Sequence, residues 1–210
     1  PQDESVALNS NNSSSWIVGF AEDLYGADAL HTSDWGMNWQ GTTRGAGGTN
    51  QGDPATAIGN NGWWYVGKID ATSGQSVSYS KNKGKTWTRV VVANGPVAGD
   101  GLLDKNHLWI DNTPGSPYEG YLYDAWTNFM PGSPDSLQIQ VSRSANHGLS
   151  WSSPVEISQG AGALNLNHGV NLHTGPSGEV YAVWSIYDAW PADETAIGFY
   201  KTLDGGGIFT

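Results

Sequence analysis

Three aspartates are the side chains in this sequence best suited to acid–base chemistry. They are Asp53, Asp104 and Asp188, and paired carboxyl groups can protonate a leaving oxygen and activate a water molecule. Aromatic, basic and imidazole side chains elsewhere in the sequence could hold a polar substrate. The candidate substrate-binding residues are Arg44, Lys105, Trp126, His168, Tyr187 and Trp190.

Each of these residues also has a structural interpretation, in which acidic loops are solvated and aromatic rings fill the space between sheets. A metal site is a further alternative, because Asp53, Asp104 and Asp111 with nearby carbonyl oxygens could hold calcium, an ion that prefers oxygen ligands. The sequence lacks a D-x-D-x-D-G loop, however, and its histidines lack zinc-type spacing. We therefore expect no cofactor.

A turn motif that occurs four times indicates the elements that position these groups. The segments "TSDWGMNW", "SKNKGKTW", "SANHGLSW" and "TLDGGGIF", which start at 32, 80, 144 and 202, share the pattern Ser/Thr-x-Asp/Asn-x-Gly-x-x-Trp/Phe. We expect the Asp or Asn to accept hydrogen bonds within its turn and the aromatic ring to pack between neighbouring sheets. The structural residues predicted in this way are Asp34, Gly36, Trp39, Asn82, Gly84, Trp87, Asn146, Gly148, Trp151, Asp204, Gly206 and Phe209.

Around each turn the sequence predicts antiparallel strands and almost no helix. A short strand and a continuous apolar run come first, an alternating segment such as "LQIQVS" leads into the turn, and a strand such as "TRVVVA" can follow it. Four-stranded units repeated at this length predict an all-β fold, a β-propeller. We predict a single domain over 1–210, with blades at approximately 1–48, 49–100, 101–160 and 161–210.

The fourth unit lacks a last strand in this sequence, which favours a larger propeller of six or more blades. About four of those blades would lie here, and the remaining blades of a longer chain, or a partner chain, would complete the ring. The alternative is a closed four-bladed propeller.

Strand polarity places the recurring turns on one face of such a propeller. The connections between blades and the loops between second and third strands share the other face, where functional groups of propellers gather. The innermost strands would bring Asp3, Asp53, Asp104, Lys105 and His168 to that face. The second-to-third loops would bring Glu22, Asp23, Tyr25, Asp70, Asp124, Trp126, Tyr187, Asp188 and Trp190.

The four turns resemble the Asp-box, or bacterial neuraminidase repeat, of the sialidase superfamily. The resemblance covers essentially the whole chain and implies a glycan-acting propeller, with the departures of Asn for Asp at 82 and 146 and Phe for Trp at 209. Sialidases bind a substrate carboxylate with three arginines and use a tyrosine nucleophile. This sequence has only three arginines, Arg44, Arg89 and Arg143. We expect Arg89 and Arg143 to lie away from the central channel of the propeller, where the innermost strands converge. The tyrosine candidates are Tyr25, Tyr118 and Tyr187.

Composition excludes several classes of partner. The 210 residues carry a formal net charge of −11 and no cysteine. Nucleic acid and anionic membranes both require a basic protein surface, so neither is an expected partner. No apolar run approaches the ~20 residues of a membrane-spanning helix. With the resemblance, this composition suggests a secreted or cell-surface protein, of bacterial origin.

Three functions remain open at the level of sequence. The first is a secreted glycoside hydrolase of the sialidase-like superfamily, with the aspartates as acid and base and Trp126 and Trp190 as sugar platforms. The second is a non-catalytic extracellular propeller that binds a carbohydrate or glycoprotein through the same face. The third is a structural module of a larger surface protein.

Overall fold

The computed structural model describes residues 4–8, 16–22, 26–42, 49–96, 101–130, 137–161, 164 and 166–207. All regular elements in these ranges are β-strands, so the predicted all-β class is confirmed. Across the same ranges, no helix has the length and hydropathy needed to span a membrane. Phe209 and Arg44 lie outside the described residues, as do Asp3, Asp23 and Tyr25.

The strands form four consecutive antiparallel groups, named here sheets I to IV. Sheet I consists of β1 Glu4–Leu8, β2 Trp16–Glu22, β3 Gly26–Thr32 and β4 Gln40–Thr42. Sheet II consists of β5 Asn50–Ile58, β6 Trp64–Asp70, β7 Gln75–Ser80 and β8 Thr88–Ala93. In both sheets the spatial order of the strands follows their order in the chain.

Sheets III and IV follow the same order and are joined at one point. Sheet III consists of β9 Leu102–Ile110, β10 Leu122–Phe129, β11 Leu137–Ser144 and β12 Val155–Glu156. Sheet IV consists of β13 Leu166–Thr174, β14 Val180–Ala189 and β15 Asp193–Thr202. A single parallel pair, Leu137 with Leu166, links the two groups into one mixed sheet.

The hydrophobic core lies between successive sheets. One cluster contains Tyr65 and Val77 of sheet II and Leu108 and Leu122 of sheet III, and a second cluster fills the space between sheets III and IV. This explains why the second strands read as continuous apolar runs, because both of their faces are covered. The first strands β1, β5, β9 and β13 contact one another in sequence, which stacks the sheets around a common line.

The four recurring turns share a hydrogen bond from a backbone N–H to the Asp or Asn side chain. In each turn, a side-chain oxygen of the Asp or Asn accepts a hydrogen bond from a backbone N–H three or four residues later. The N···O distance is 2.9 Å at Asp34, Asn82 and Asp204 and 3.0 Å at Asn146. In the first three turns the preceding Thr or Ser hydroxyl also accepts the N–H of the turn glycine. The glycines Gly36, Gly84, Gly148 and Gly206 have φ between 77° and 80°, a region in which a side chain is strained.

The tryptophans that end the second and third turns pack against the preceding sheet. Trp87 packs on the cluster between sheets I and II, and Trp151 packs on the cluster between sheets II and III. Trp39, which was predicted to pack in the same way, is 42% exposed. Its turn belongs to the first sheet, so no earlier sheet is present among the described residues to cover the indole.

Candidate functional site

The first strands of sheets II, III and IV share one irregularity close to their starts. In each, two residues face a single residue of the second strand, which is a β-bulge. The first of the two residues has a positive φ: 53° at Asp53, 53° at Lys105 and 74° at Gly169. Bulges change the direction of the side chains beside them. The predicted residues Asp53, Asp104, Lys105 and His168 lie at or directly before these bulges.

A hydrogen bond joins two of these bulges. The backbone N–H of Lys105 donates to Oδ2 of Asp53 at 2.9 Å, across the boundary between sheets II and III. Both residues are half-buried. The structure therefore brings Asp53 and Lys105 together and fixes the orientation of the Asp53 carboxylate.

Asp104 immediately precedes the bulge of sheet III. It is half-buried and pairs with Thr127 of β10, and no hydrogen bond or ion pair involves its carboxylate in the described part of the chain. Its position in β9 matches that of His168 in β13, because both directly precede the positive-φ residue of their bulge. The two first strands also contact each other.

Aromatic rings form a wall around Trp190. The rings of His168 and Trp190 lie 4.3 Å apart between centroids, and those of Tyr187 and Trp190 lie 4.8 Å apart, both edge to face. Phe129 contacts His168 at 5.6 Å and Trp190 at 6.1 Å. Trp190 keeps 36% of its surface exposed, so part of its ring can contact a ligand.

Phe129 belongs to the wall and lies on β10, which pairs with the strand that carries Asp104. It is the pairing partner of Leu102, two residues before Asp104, and the sequence analysis did not select it. An aromatic residue at the end of the run "YLYDAWTNF" was the available signal. We name the combined group the bulge site; its members are Asp53, Asp104, Lys105, Phe129, His168, Tyr187 and Trp190.

The fold of the chain is similar to those of several solved structures. The α-L-arabinofuranosidase of Fusarium graminearum superposes with a TM-score of 0.62 at 15% identity, over 97% of this chain and 62% of that one. The Penicillium chrysogenum α-L-arabinanase gives 0.61 at 14% identity, over 95% of this chain and 61% of that one. An ancestral GH74 enzyme gives 0.60 at 15% identity, over 98% of this chain and 26% of that one.

These neighbours are β-propeller glycoside hydrolases. The likeness is one of fold, and the chain spans about three fifths of the length of the two arabinan-type enzymes. No protein-family profile matches the chain. No curated protein matches it either.

Two predicted site residues lie elsewhere than expected. Trp126 was predicted as a sugar platform, but it is fully buried, and its indole N–H donates to Oε1 of Gln140 at 3.2 Å in the core between sheets II and III. This prediction is wrong, because β10 continues through Trp126 rather than ending before it. Asp188, expected in a loop, is an exposed residue near the end of β14, at an irregular step in the pairing of that strand with β15.

Two of the acidic residues predicted to line this face are structural. Asp70 accepts hydrogen bonds from its own turn and forms an ion pair with Arg89 at 2.8 Å. Asp124, expected in a loop, lies in the middle of β10 and is fully buried. Burial raises the pKa of the Asp124 carboxyl to about 8, an effect that a long hydrogen bond from Asn106 opposes.

The suggested calcium ligands do not converge. Asp104 lies near the start of β9, whereas Asp111 follows its end, so an extended strand of about 20 Å separates them. Asp111 instead accepts hydrogen bonds from the hydroxyl of Ser116 at 2.6 Å and the N–H of Thr113 at 2.9 Å. In the described ranges, no cluster of three or more His, Asp or Glu side chains has the geometry of a metal site.

The arginines of sheets II and III are engaged away from the bulge site. Arg89 lies on the outer strand β8 and pairs with Asp70, and Arg143 donates to the backbone oxygen of Gly205 at 3.0 Å. Arg143 thus stabilises the turn that follows β15 in sheet IV. Both guanidinium groups are therefore engaged in structural contacts.

A neutral histidine joins the first strands of sheets III and IV. Burial, together with the nearby His173, lowers the pKa of His107 to about 4. Its Nδ1 accepts the backbone N–H of Leu172 at 3.2 Å, a bond that requires the uncharged ring. His107 therefore stabilises the junction that carries Asp104 and His168, and protonation would break this bond.

None of the bulge-site residues lines the cavity between sheets II and III. The cavity has a volume of about 710 Å³ and lies where β12 is only two residues long. Its lining includes Trp151, Gln140 and Asn128 but no charged side chain. Acid–base chemistry therefore has no donor there.

Proposed function

We propose that the chain is a carbohydrate-active propeller segment that cleaves a glycosidic bond at the bulge site. The observation that supports this most directly is the juxtaposition of Asp53 and Lys105, with Asp104 beside them and an aromatic wall around Trp190. The fold of the neighbours agrees with a role in glycan chemistry.

The chemistry would follow the two-carboxylate scheme of glycoside hydrolases. One carboxyl group protonates the leaving oxygen while the other activates water or attacks the anomeric carbon. Asp53, oriented by the N–H of Lys105, is suited to the base or nucleophile role. Asp104 is suited to the acid role, and Trp190 and Tyr187 would pack against the sugar ring. Asp188 stays a less favoured proposal for the acid.

Neutral glycans are the substrate class that the described residues favour. Arg89 and Arg143 are occupied by structural contacts, so sheets II to IV offer no guanidinium for a carboxylated sugar. α-L-Arabinofuranosides are the first substrates to test, because two of the structural neighbours are arabinan-type enzymes. Sialosides form the contrasting class.

The finer family assignment belongs to the same proposal. Sheets I to IV would be consecutive blades of a larger propeller, and the hydrogen-bonded turns that begin at 32, 80, 144 and 202 would be Asp-boxes of the sialidase type. A secreted or cell-surface location fits this assignment and remains a proposal.

A non-catalytic glycan-binding propeller is the second candidate. The partly exposed ring of Trp190 would support binding without cleavage. The two candidates differ in the effect of replacing the aspartates: a hydrolase loses turnover and keeps affinity, whereas a binding protein shows no turnover in any variant.

The test is a panel of aryl glycosides and arabino-oligosaccharides, assayed for turnover and for binding. We expect Asp53→Asn and Asp104→Asn to lower turnover of the accepted substrate by at least about 100-fold, the scale of lost acid–base catalysis. Glu119→Gln, an exposed carboxylate beyond the far end of β9, is the control and should retain activity. Full turnover in both aspartate variants would remove the assignment.

A further inference from the structure

One face of sheet IV is apolar and uncovered. Val183 of β14 and Phe199 of β15 are pairing partners, and they are 39% and 60% exposed. Ile197, which is 65% exposed, lies two residues from Phe199 on the same side of β15. Tyr181 borders them on β14, two residues before Val183. We name Tyr181, Val183, Ile197 and Phe199 the open face.

The corresponding face of sheet III is completely covered. Counting back from the Ser or Thr that begins each turn, Ile139 and Val141 of β11 occupy the positions of Ile197 and Phe199. Both side chains are buried within the cluster between sheets III and IV. The same register positions are therefore core residues wherever a following sheet is present.

A tyrosine also lies on the covered faces of sheets II and III. In sheet II, Tyr65 packs under the next turn, so that a Cβ added at Gly148 would lie 3.3 Å from its Cε1. In sheet III, the hydroxyl of Tyr123 donates to the backbone oxygen of Gly205 at 3.2 Å. Tyr181 occupies the equivalent second position of β14, after Val180.

In both sheet III and sheet IV, a basic residue is the pairing partner of this tyrosine. Arg143, the pairing partner of Tyr123, donates to the same oxygen of Gly205 at 3.0 Å. In sheet IV the pairing partner of Tyr181 is Lys201, whose Nζ lies 5.1 Å from the tyrosine ring. The hydroxyl and the ammonium group thus present two donors for one carbonyl oxygen.

We propose that the open face docks a further antiparallel sheet that carries the same Ser/Thr-x-Asp/Asn-x-Gly turn. A backbone carbonyl of that turn accepts hydrogen bonds from Tyr181 and Lys201, and apolar side chains of the incoming sheet cover Ile197 and Phe199. The proposal rests on continuity with the two described interfaces and holds whether or not the bulge site is catalytic. The greater length of the arabinan-type neighbours agrees with it.

The first test compares two register-equivalent substitutions in the 210-residue chain. Phe199→Ser should leave the midpoint of thermal unfolding within about 2 °C and reduce binding of an apolar fluorescent dye, whereas Val141→Ser should lower that midpoint by about 5 °C or more. Equal losses would show that the chain itself covers the open face, and would overturn the proposal. A dimer in sedimentation that Phe199→Ser dissociates would overturn it in favour of a second copy.

The second test supplies the missing neighbour. A chain extended at its C-terminus by another copy of residues 161–207 places a matching turn within reach of the open face. We expect dye binding to fall at least about twofold and the unfolding midpoint to rise by about 5 °C. Replacing the glycine that corresponds to Gly205 in the added copy with valine should reverse both effects. Unchanged dye binding and midpoint in the extended chain would contradict the proposal.

Discussion

At the scale of single residues, Asp124 shows how burial changes the chemistry of a carboxyl group. Its side chain is fully buried between sheets II and III, and Oδ2 has no hydrogen-bond partner in the described part of the chain. A charged carboxylate there would be strongly disfavoured, which is why its pKa rises to about 8. The protonated form is therefore the resident form at neutral pH.

The pH dependence of stability follows from this pKa. Because the folded-state pKa of about 8 exceeds the ordinary value of 3.8, Asp124 favours folding at low pH and loses that contribution progressively as pH rises from 3.8 to about 8. We expect the unfolding free energy of the unmodified protein to fall by an amount on the order of 4 kcal/mol between pH 5 and 8 because of Asp124. In Asp124→Asn, this fall should be absent. Urea unfolding at both pH values measures this change, with the exposed Asp193→Asn as the control. The same change in unfolding free energy between pH 5 and 8 in the unmodified protein and in both variants would contradict the prediction.

At the scale of elements, the hydrogen-bonded turns are predictable from the sequence because their chemistry is local. A hydroxyl, an Asp or Asn and a glycine within five residues specify the same loop of hydrogen bonds wherever they occur. Strand ends were predicted less well, since the apolar run around Asp124 continues through residues that the pattern assigned to a loop. The bulges were not predictable, because Asp53-Pro54, Lys105-Asn106 and Gly169-Val170 share no residue type.

The candidate site shows the same division. His168, Tyr187 and Trp190 were predicted from their places relative to the strands, and ring contacts bring them together. Phe129 was missed and Trp126 was misplaced, because sequence alternation cannot show which end of a fully covered strand reaches the surface. The contact between Asp53 and Lys105 depends on two bulges from different sheets, which no local pattern encodes.

The turn glycines offer a prediction at this scale. Gly148 and Gly160 have similar φ values of 80° and 77°, but an added Cβ would lie 3.3 Å from Tyr65 at the first and meet nothing at the second. Gly160→Ala should therefore cost about 1 kcal/mol of unfolding free energy from backbone strain alone. Gly148→Ala should cost about 2 to 3 kcal/mol, since the tyrosine must also move. Equal losses in urea unfolding would show that the turn does not depend on its contact with the preceding sheet.

At the scale of the whole molecule, the sheets are stacked so that each gains its core from its neighbours. Sheets II and III are covered on both sides, and the burial of Trp64, Tyr65, Leu122 and Tyr123 is complete. Sheet IV is covered on one side, and β15 is exposed along most of its length. In such a stack, stability is a sum of local terms and contacts between neighbours, so it is not uniform along the chain.

Hydrogen exchange should reveal this gradient. We expect amide protons of β6 and β10 to exchange slowest, at rates set by global unfolding, because opening either strand breaks two interfaces. Those of β15 should exchange at least about 100-fold faster, because its loss breaks only the edge of the stack. In the chain extended by a further sheet, β15 should become as protected as β11, while β6 and β10 change little. Uniform exchange across all four sheets would mean that the stack unfolds as one unit, and that the open face adds no local instability.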